Sequence, residues 1–373
     1  MSKQSNIMKK NVLIAGVDYA MPKLFYFKKF WQEKGYGYVF YGNDRMKVMK
    51  KFSDVPFYPS QINTNSDLFF SLKEVLLLIK IIRTENIRYC EYYYTAPFLQ
   101  MLVVLAVMKL CGIKIISIYR GGEIYYWHKH SIFKKYFLKM ANKLSHKIAY
   151  KEMYMPEILE KNGMYQQDRM YHWANSIEYA ELPSDYNSQK ENVLLFHNSF
   201  KEWRHPDFLI DVINRLKEKT PDFKLILAGY REDADNDILK TINDKINNYG
   251  LSGFVEIYDF AANEPDYYYK QSRVFLLPSD LVYCNYSLLE AMNWGVVPIV
   301  SELDKDSHLI IDHESDGYII PNIEEQWSSS IYDLLTNENH FEKMSRMANL
   351  KIYNEYNSQK RFEKYYDFIR VAE

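Results

Sequence analysis

The sequence predicts two doubly wound α/β domains facing each other across a cleft. Three observations carry this. Short apolar runs alternate with amphipathic stretches along both halves of the chain, the pattern of parallel strands with helices on both faces. A polar stretch with no periodicity, WANSIEYAELPSDYNSQKEN (173–192), separates the halves and reads as a linker. The halves also differ in charge: residues 1–180 hold 27 Lys and Arg against 14 Asp and Glu, or +13, leaving 20 against 34, or −14, for residues 181–373.

In order, NVLIAGV (11–17) reads as a strand, KLFYFKKFWQEKG (23–35) as a helix ending at Gly35, and YVFYG (38–42) as a strand. SLKEVLLLIKIIRTENI (71–87) is a helix, YCEYYYT (89–95) a strand, residues 98–111 a helix stopped by Gly112, and KIISIYR (114–120) a strand. HSIFKKYFLKMANKLSHKIAYKEMY (130–154) then reads as one long helix. After the linker come the strand VLLFHNS, helix FLIDVINRLKEK, strand KLILAG, helix DILKTINDKINNYG, strand FVEIYDF, a helix around DYYYKQS, strand VFLLPS, a short helix before Gly295, and strand VVPIVS. Predicted domains are residues 1–180, residues 190–350, and a C-terminal helix over 351–373 that crosses back to the first domain.

The composition, 47% hydrophobic and 25% charged, is that of a globular chain. Cys90, Cys111 and Cys284 are widely spaced, which argues for a reducing compartment and against a disulfide framework or zinc site. The N-terminal apolar stretch is too short for a signal peptide, and the run Met101–Met108 too short to span a bilayer. The expected location is therefore cytoplasmic, with any membrane contact peripheral. No G-x-G-x-x-G is present, which weighs against a dinucleotide oxidoreductase. The basic half favours an anionic partner; without a nucleic-acid motif, that points to a membrane face or a phosphate-bearing acceptor. Lys135, Lys139, Lys143, Lys147 and Lys151 recur every fourth residue, with Phe133, Phe137, Met140, Leu144 and Ile148 largely opposite. That is either an ordinary surface helix or one steered onto anionic lipid. The triplets Tyr92–Tyr94 and Tyr267–Tyr269 reflect heavy Tyr use (34 residues) and are assigned no stacking role.

The chemistry concentrates in PSDLVYCNYSLLEAMNWG (278–295). Asn285 is a good N-cap for a helix starting at Tyr286. Backbone N–H groups of Tyr286, Ser287 and Leu288 would then form an anion site above the strand ends. Glu290, one turn in, has paired acceptor oxygens for a ribose. Ser287-x-x-Glu290 is equally a capping box, with Glu290 returning to the Ser287 N–H.

Pro278, Ser279, Leu288, Leu289, Glu290, Ala291, Met292, Gly295 and Pro298 match in register P-S-x-x-E-G-x-x-x-x-L-L-E-A-M-x-x-G-x-P-V-V. The stretch thus resembles the signature of the family 4 glycosyltransferases, retaining enzymes of GT-B fold. The resemblance implies that Glu290 contacts the nucleotide ribose. The first acid of that signature falls on Val282 and is missing. LLFHNSFKEWRHPDFLIDVI (194–213) resembles the opening of the family's second domain, with Asn198 at a Gly position, Ser199 at an Arg and Arg204 at a Lys. Asn198, Ser199 and Arg204 are thereby implied donor ligands, Arg204 for the diphosphate.

Fainter matches place Tyr258 and Phe260 beside the nucleobase, though the two read equally as core aromatics, and Arg120 where the family has a His near the reaction centre. They also keep Gly121 and Glu123 in the following turn. The family's N-terminal Gly-rich loop is not matched in AGVDYAMPK, so Gly16 and Asp18 are assigned to the acceptor side by position alone. The resemblance implies an enzyme with Arg204, Arg120 and Glu290 catalytic and a nucleoside-diphosphate sugar of UDP or GDP type as substrate. The acceptor would be a glycan or lipid-linked saccharide, with no cofactor and no metal. A nucleotide-sugar-binding protein without turnover and a GT-B epimerase are the alternatives.

Overall fold

The computed structural model describes residues 10–16, 22–43, 54–60, 72–93, 99–119, 124, 126–229, 235–259 and 265–370. The chain divides into two compact units, residues 1–174 with 358–373, and residues 175–357.

The first unit is built on β1 (Lys10–Ala15), β2 (Tyr36–Asn43), β3 (Phe57–Ser60), β4 (Ile87–Tyr93), β5 (Lys114–Tyr119), β6 (Lys147–Tyr150) and β7 (Met170–His172). They form one sheet in the order β3-β2-β1-β4-β5-β6-β7, every pair parallel. Helices α1 (Pro22–Glu33), α2 (Leu72–Thr84), α3 (Leu99–Leu110), α4 (Ile132–Leu144) and α5 (Met155–Lys161) connect them. Strand β4, IRYCEYY, is buried at every position but one, as a strand covered on both faces must be. Its Glu91 is fully buried yet satisfied: Trp31 Nε1 and the Tyr365 hydroxyl each donate to Oε1 at 3.0 Å, and the Tyr93 hydroxyl donates to Oε2 at 2.9 Å.

Tyr365 lies on the C-terminal helix, Ser358–Arg370, which buries Phe362, Tyr365 and Ile369 at helical spacing. Phe362 meets Phe27 edge-on at 5.1 Å, and Tyr365 meets Trp173 at 4.0 Å. That aromatic seam joins the helix to the first unit.

The single helix expected over 130–154 is a correction. Helix α4 stops at Leu144, and KIAY is strand β6, buried throughout. The cause is a distant guanidinium. Arg169 donates to the carbonyls of Asn142 (2.8 Å), Ser145 and His146 (3.3 Å), capping the helix end from outside. The five-lysine stripe therefore does not exist. Lys135, Lys139 and Lys143 are helical, but Lys147 is buried, donating to the Asp168 carbonyl at 2.8 Å, and Lys151 pairs with Glu152 at 3.0 Å. The apolar side is also not as expected. Leu138, Ala141 and Asn142 face the core, while Ile132, Phe133 and Tyr136 are exposed at 83%, 74% and 56%.

The second unit holds β8 (Val193–His197), β9 (Lys224–Gly229), β10 (Val255–Asp259), β11 (Ser272–Leu277), β12 (Val297–Ser301) and β13 (Tyr318–Ile320), in the order β10-β9-β8-β11-β12-β13. All pairs are parallel. Its helices are α6 (Phe208–Lys219), α7 (Asn236–Tyr249), α8 (Pro265–Gln271), α9 (Tyr286–Asn293), α10 (Glu324–Thr336) and α11 (Glu338–Lys351).

The fold class is thus two Rossmann-like doubly wound domains. The stretch read as a linker packs largely onto the second unit. Asn293 Nδ2 donates to the Glu178 carbonyl (3.1 Å), and Asn349 Nδ2 to that of Ala180 (3.1 Å). Side-chain amides supply the partners that no strand or helix gives it.

Candidate functional site

In the second sheet the strand order reverses between β8 and β11. In open α/β sheets that is where a crevice opens beyond the strand C-termini. The loop after β8 carries Asn198, Ser199 and Arg204, and the loop after β11 carries Pro278 to Asn285 before helix α9 begins. The fold therefore puts both matched motifs on one sheet edge.

Asn285 is the N-cap of α9: its backbone is extended and its side chain accepts from the Ser287 N–H at 2.9 Å. This corrects two expectations. The Ser287 amide is occupied within the helix cap, so it does not join Tyr286 and Leu288 as a donor to an anion. The capping-box reading also fails, because Glu290 does not return to Ser287. Its Oε2 instead accepts from the Tyr269 hydroxyl at 3.1 Å. Burial, with Asp266 adding to it, raises the Glu290 carboxyl to about 7, against the lowering effect of the Tyr269 bond.

Arg204 bridges the two loops. One guanidinium nitrogen donates to the Leu281 carbonyl at 2.7 Å, and the group lies 3.8 Å from the centre of the Trp203 ring. Burial draws it down to about 10, opposed by Asp280, which leaves it cationic at neutral pH. Its Nε is buried without a partner, as are Asn198 Nδ2 and Ser279 Oγ. Buried orphans of this kind are rare and call for an explanation. Asn198 Oδ1 accepts from the Ser199 N–H at 2.9 Å.

Where the resemblance leaves an acid missing, Val282 is fully buried. Its N–H and that of Tyr283 donate to Asp304 Oδ2 at 2.7 and 2.8 Å, so a buried carboxylate from beyond β12 fixes this loop. Asp280 is engaged by His205 at 2.7 Å. Tyr258, at the end of β10, is 38% exposed, packs on Tyr268 at 5.5 Å and donates to Glu256. Gly16 ends β1 with φ +74°, beside Tyr93 at the strand-order reversal of the first sheet. Asp18, Arg120, Gly121, Glu123 and Phe260 lie outside the described residues.

Sequence reasoning missed four contributors: His197, Tyr269, Asp304 and Lys190. His197 carried a signal, being a lone polar residue closing the apolar strand VLLFH. Tyr269 and Asp304 carried none, since their partners are remote in sequence. Lys190 Nζ donates to the carbonyls of Tyr269 and Trp294, each at 2.9 Å, at the C-terminal ends of α8 and α9.

Residues 180–351, most of the second unit, match the sequence family described as glycosyl transferases group 1. The chain is 24% identical over 168 residues to the capsular polysaccharide biosynthesis glycosyltransferase CapH of Staphylococcus aureus, covering 44% of this chain and 46% of CapH. The match thus spans less than half of that curated relative. A glycosyltransferase of Rickettsia africae ESF-5 has a TM-score of 0.75 at 14% identity, covering 98% of both chains. Anabaena Alr3699/HepE, solved in complex with UDP, has a TM-score of 0.75 at 12% identity, covering 97% of this chain and all of that one. These structures share the GT-B fold, two parallel-sheet Rossmann-like domains.

Proposed function

We propose that the chain is a retaining glycosyltransferase of the family 4 type. It would move a sugar from a nucleoside diphosphate of UDP or GDP type to a glycan or lipid-linked saccharide, in cell-surface polysaccharide assembly. The observation that carries this is that Asn198 Nδ2, Arg204 Nε and Ser279 Oγ are buried and unpartnered on the segments that follow β8 and β11, the strands at the order reversal, with Glu290 on the helix after β11. Guanidinium and neutral donors suit a diphosphate, and a carboxylate suits the ribose diol. The leaving diphosphate is the difficult charge, and on this reading protein groups meet it electrostatically. Support comes also from the similar proteins: Alr3699/HepE is solved in complex with UDP and with UDP-glucose, and the curated relative CapH is described in capsular polysaccharide biosynthesis.

The test is a thermal-shift panel of UDP-, GDP- and ADP-sugars with Arg204→Ala and Glu290→Ala as controls, followed by turnover of a labelled donor. Stabilisation of the parent alone supports the site; no shift with any nucleotide ends the reading. Val282 and Ser199, in place of the expected acid and Arg, favour one rival, a binder without turnover. Binding without released nucleotide would select it.

The acceptor side of the proposal places the protein at the inner membrane face, in contact with anionic lipid. Ile132, Tyr136, Lys139 and Lys143 follow one another at four-, three- and four-residue steps on the outer face of α4, with Phe133 beside them. No acid occurs between residues 124 and 151. Apolar tips flanked by lysines are what an interfacial helix presents. No helix among the described residues is long and apolar enough to cross a membrane. Co-sedimentation with phosphatidylglycerol vesicles, lost in Phe133→Ser/Tyr136→Ser and absent with phosphatidylcholine, is the expected result.

A further inference from the structure

Three side chains from three elements form a buried polar chain beside the strand-order reversal of the second sheet. Tyr269 of α8 donates to Glu290 Oε2 of α9 at 3.1 Å, and the same hydroxyl lies within hydrogen-bonding distance of Nδ1 of His197, the last residue of β8. Tyr269 is fully buried, and His197 is 9% exposed. Tyr269 is anchored from behind, where Lys190 binds its carbonyl at 2.9 Å. Among the described residues, the groups facing the Glu290 carboxyl are Tyr269 and Asp266 from α8, with His197 of β8 beyond Tyr269 and the Ser287 side chain of α9 also hydrogen-bonded to the Tyr269 hydroxyl.

We infer that His197, Tyr269 and Glu290 act as one proton chain, holding a proton on Glu290 in the empty site and withdrawing it when a ribose diol binds. This rests on the donor-site reading for its ligand but not for its existence. The hydrogen-bond inventory allows two arrangements. With Glu290 ionised, the Tyr269 proton points to Glu290, so His197 must donate from Nδ1. With Glu290 protonated, its O–H donates to the Tyr269 oxygen, the Tyr269 proton turns to His197 Nδ1, and the imidazole carries its hydrogen on Nε2.

The two forms differ by one proton and interconvert without residue. A proton arriving at Nε2 releases the one on Nδ1 to Tyr269, which passes its own to Glu290. Burial draws the His197 imidazole down to about 3, so it is neutral in both forms. Burial holds the Glu290 carboxyl at about 7, so both forms are reached near neutral pH. A diol donates two O–H groups, which only the carboxylate can accept in full. Binding therefore releases a proton, and affinity falls about tenfold per pH unit below the midpoint.

Tyr269 and His197 are positioning residues, and their role is read in the full chain labelled with 15N-histidine. In the absence of nucleotide, His197 is expected to carry its hydrogen on Nδ1 at pH 9 and on Nε2 at pH 5. Glu290→Gln, whose amide does not titrate, holds one tautomer population at both pH values, and Tyr269→Phe uncouples His197 from pH. UDP or GDP added at pH 6 restores the Nδ1 form. An unchanged tautomer between pH 5 and 9, or a Glu290→Gln protein that still switches, overturns the chain. If the switch appears but neither nucleotide affects it, the chain stands and the donor-site reading falls.

Discussion

Gly229 gives the sharpest test of how the second sheet positions its edge. It ends β9 in ordinary backbone geometry, so only space decides what it tolerates. A Cβ there would run into the Asn198 carbonyl oxygen and come within 2.8 Å of the Phe200 ring. Phe200 is fully buried and stacks on Phe196 at 6.1 Å, so the ring cannot retreat without opening the core. The Asn198 segment must move instead, by roughly half to one ångström, to regain van der Waals separation. Overpacking of this kind costs about 1–3 kcal/mol. In a unit of this size that lowers Tm by roughly 3–10 °C.

The displaced segment carries Asn198 and Ser199, so the donor-site reading adds a functional cost. Misplacement by about an ångström lowers nucleotide affinity by roughly ten- to a hundredfold. The assay pairs Gly229→Ala with Gly253→Ala, whose Cβ meets nothing within 4 Å. Both are measured by calorimetric melting and nucleotide titration. Gly253→Ala is expected to keep or slightly raise Tm. A Gly229→Ala protein matching the parent in Tm would refute the packing argument. A lowered Tm with unchanged affinity would refute the placement of the ligand against Asn198.

Burial, helped by Arg273, pulls the Lys190 ammonium from 10.5 to about 7. Within that window the unfolded chain holds a proton that the folded one has lost, so this group adds stability as pH rises and withdraws it as pH falls. The stability gap between parent and Lys190→Met, by urea denaturation, should therefore widen by about 2–3 kcal/mol from pH 7 to 9; parallel slopes would sink the argument. Asp304→Asn exchanges one buried acceptor oxygen for an amide that faces backbone N–H groups. It should cost about 1.5–3 kcal/mol in denaturation and raise the exchange rates of the Val282 and Tyr283 amides. Asn285→Ala removes the cap on the Ser287 amide and should cost about 1 kcal/mol by the same measurement.

The strands were legible because a parallel sheet covered on both faces writes itself as apolar runs: VLLFH, KLILAG and VFLL all lie in strands, the last ending before Pro278. Helix ends were legible where chemistry is local. Asn285 caps α9, and Gly295 follows it with φ +66°. What failed depended on distant partners. Nothing in HSIFKKYFLKMANKLSHKIAY announces that Arg169 will take the carbonyls of Asn142 and Ser145 and end the helix there. The helix Met155–Lys161 did carry a local sign, Pro156 in its first turn. In the site, the motif residues were readable one by one. That Glu290 faces Tyr269 rather than Ser287 was not, because Tyr269 lies 21 residues away in sequence.

The orphaned atoms link stability to function. Each buried donor left without a partner costs about 1–3 kcal/mol, and a protein selected for stability alone would replace Asn198 or Ser279 with an apolar side chain. Neither change would disturb a long-range bond, because Asn198 Oδ1 serves only its neighbour and Ser279 Oγ serves nothing. Arg204 is different. Its bond to Leu281 holds the loop while its Nε stays unpaired, so the same guanidinium supports the site and remains available to a ligand. Lysine at 204 has no fork to divide between those tasks. Arg204→Lys should therefore lose nucleotide affinity while keeping charge, and an unchanged affinity would show that charge alone matters at this position.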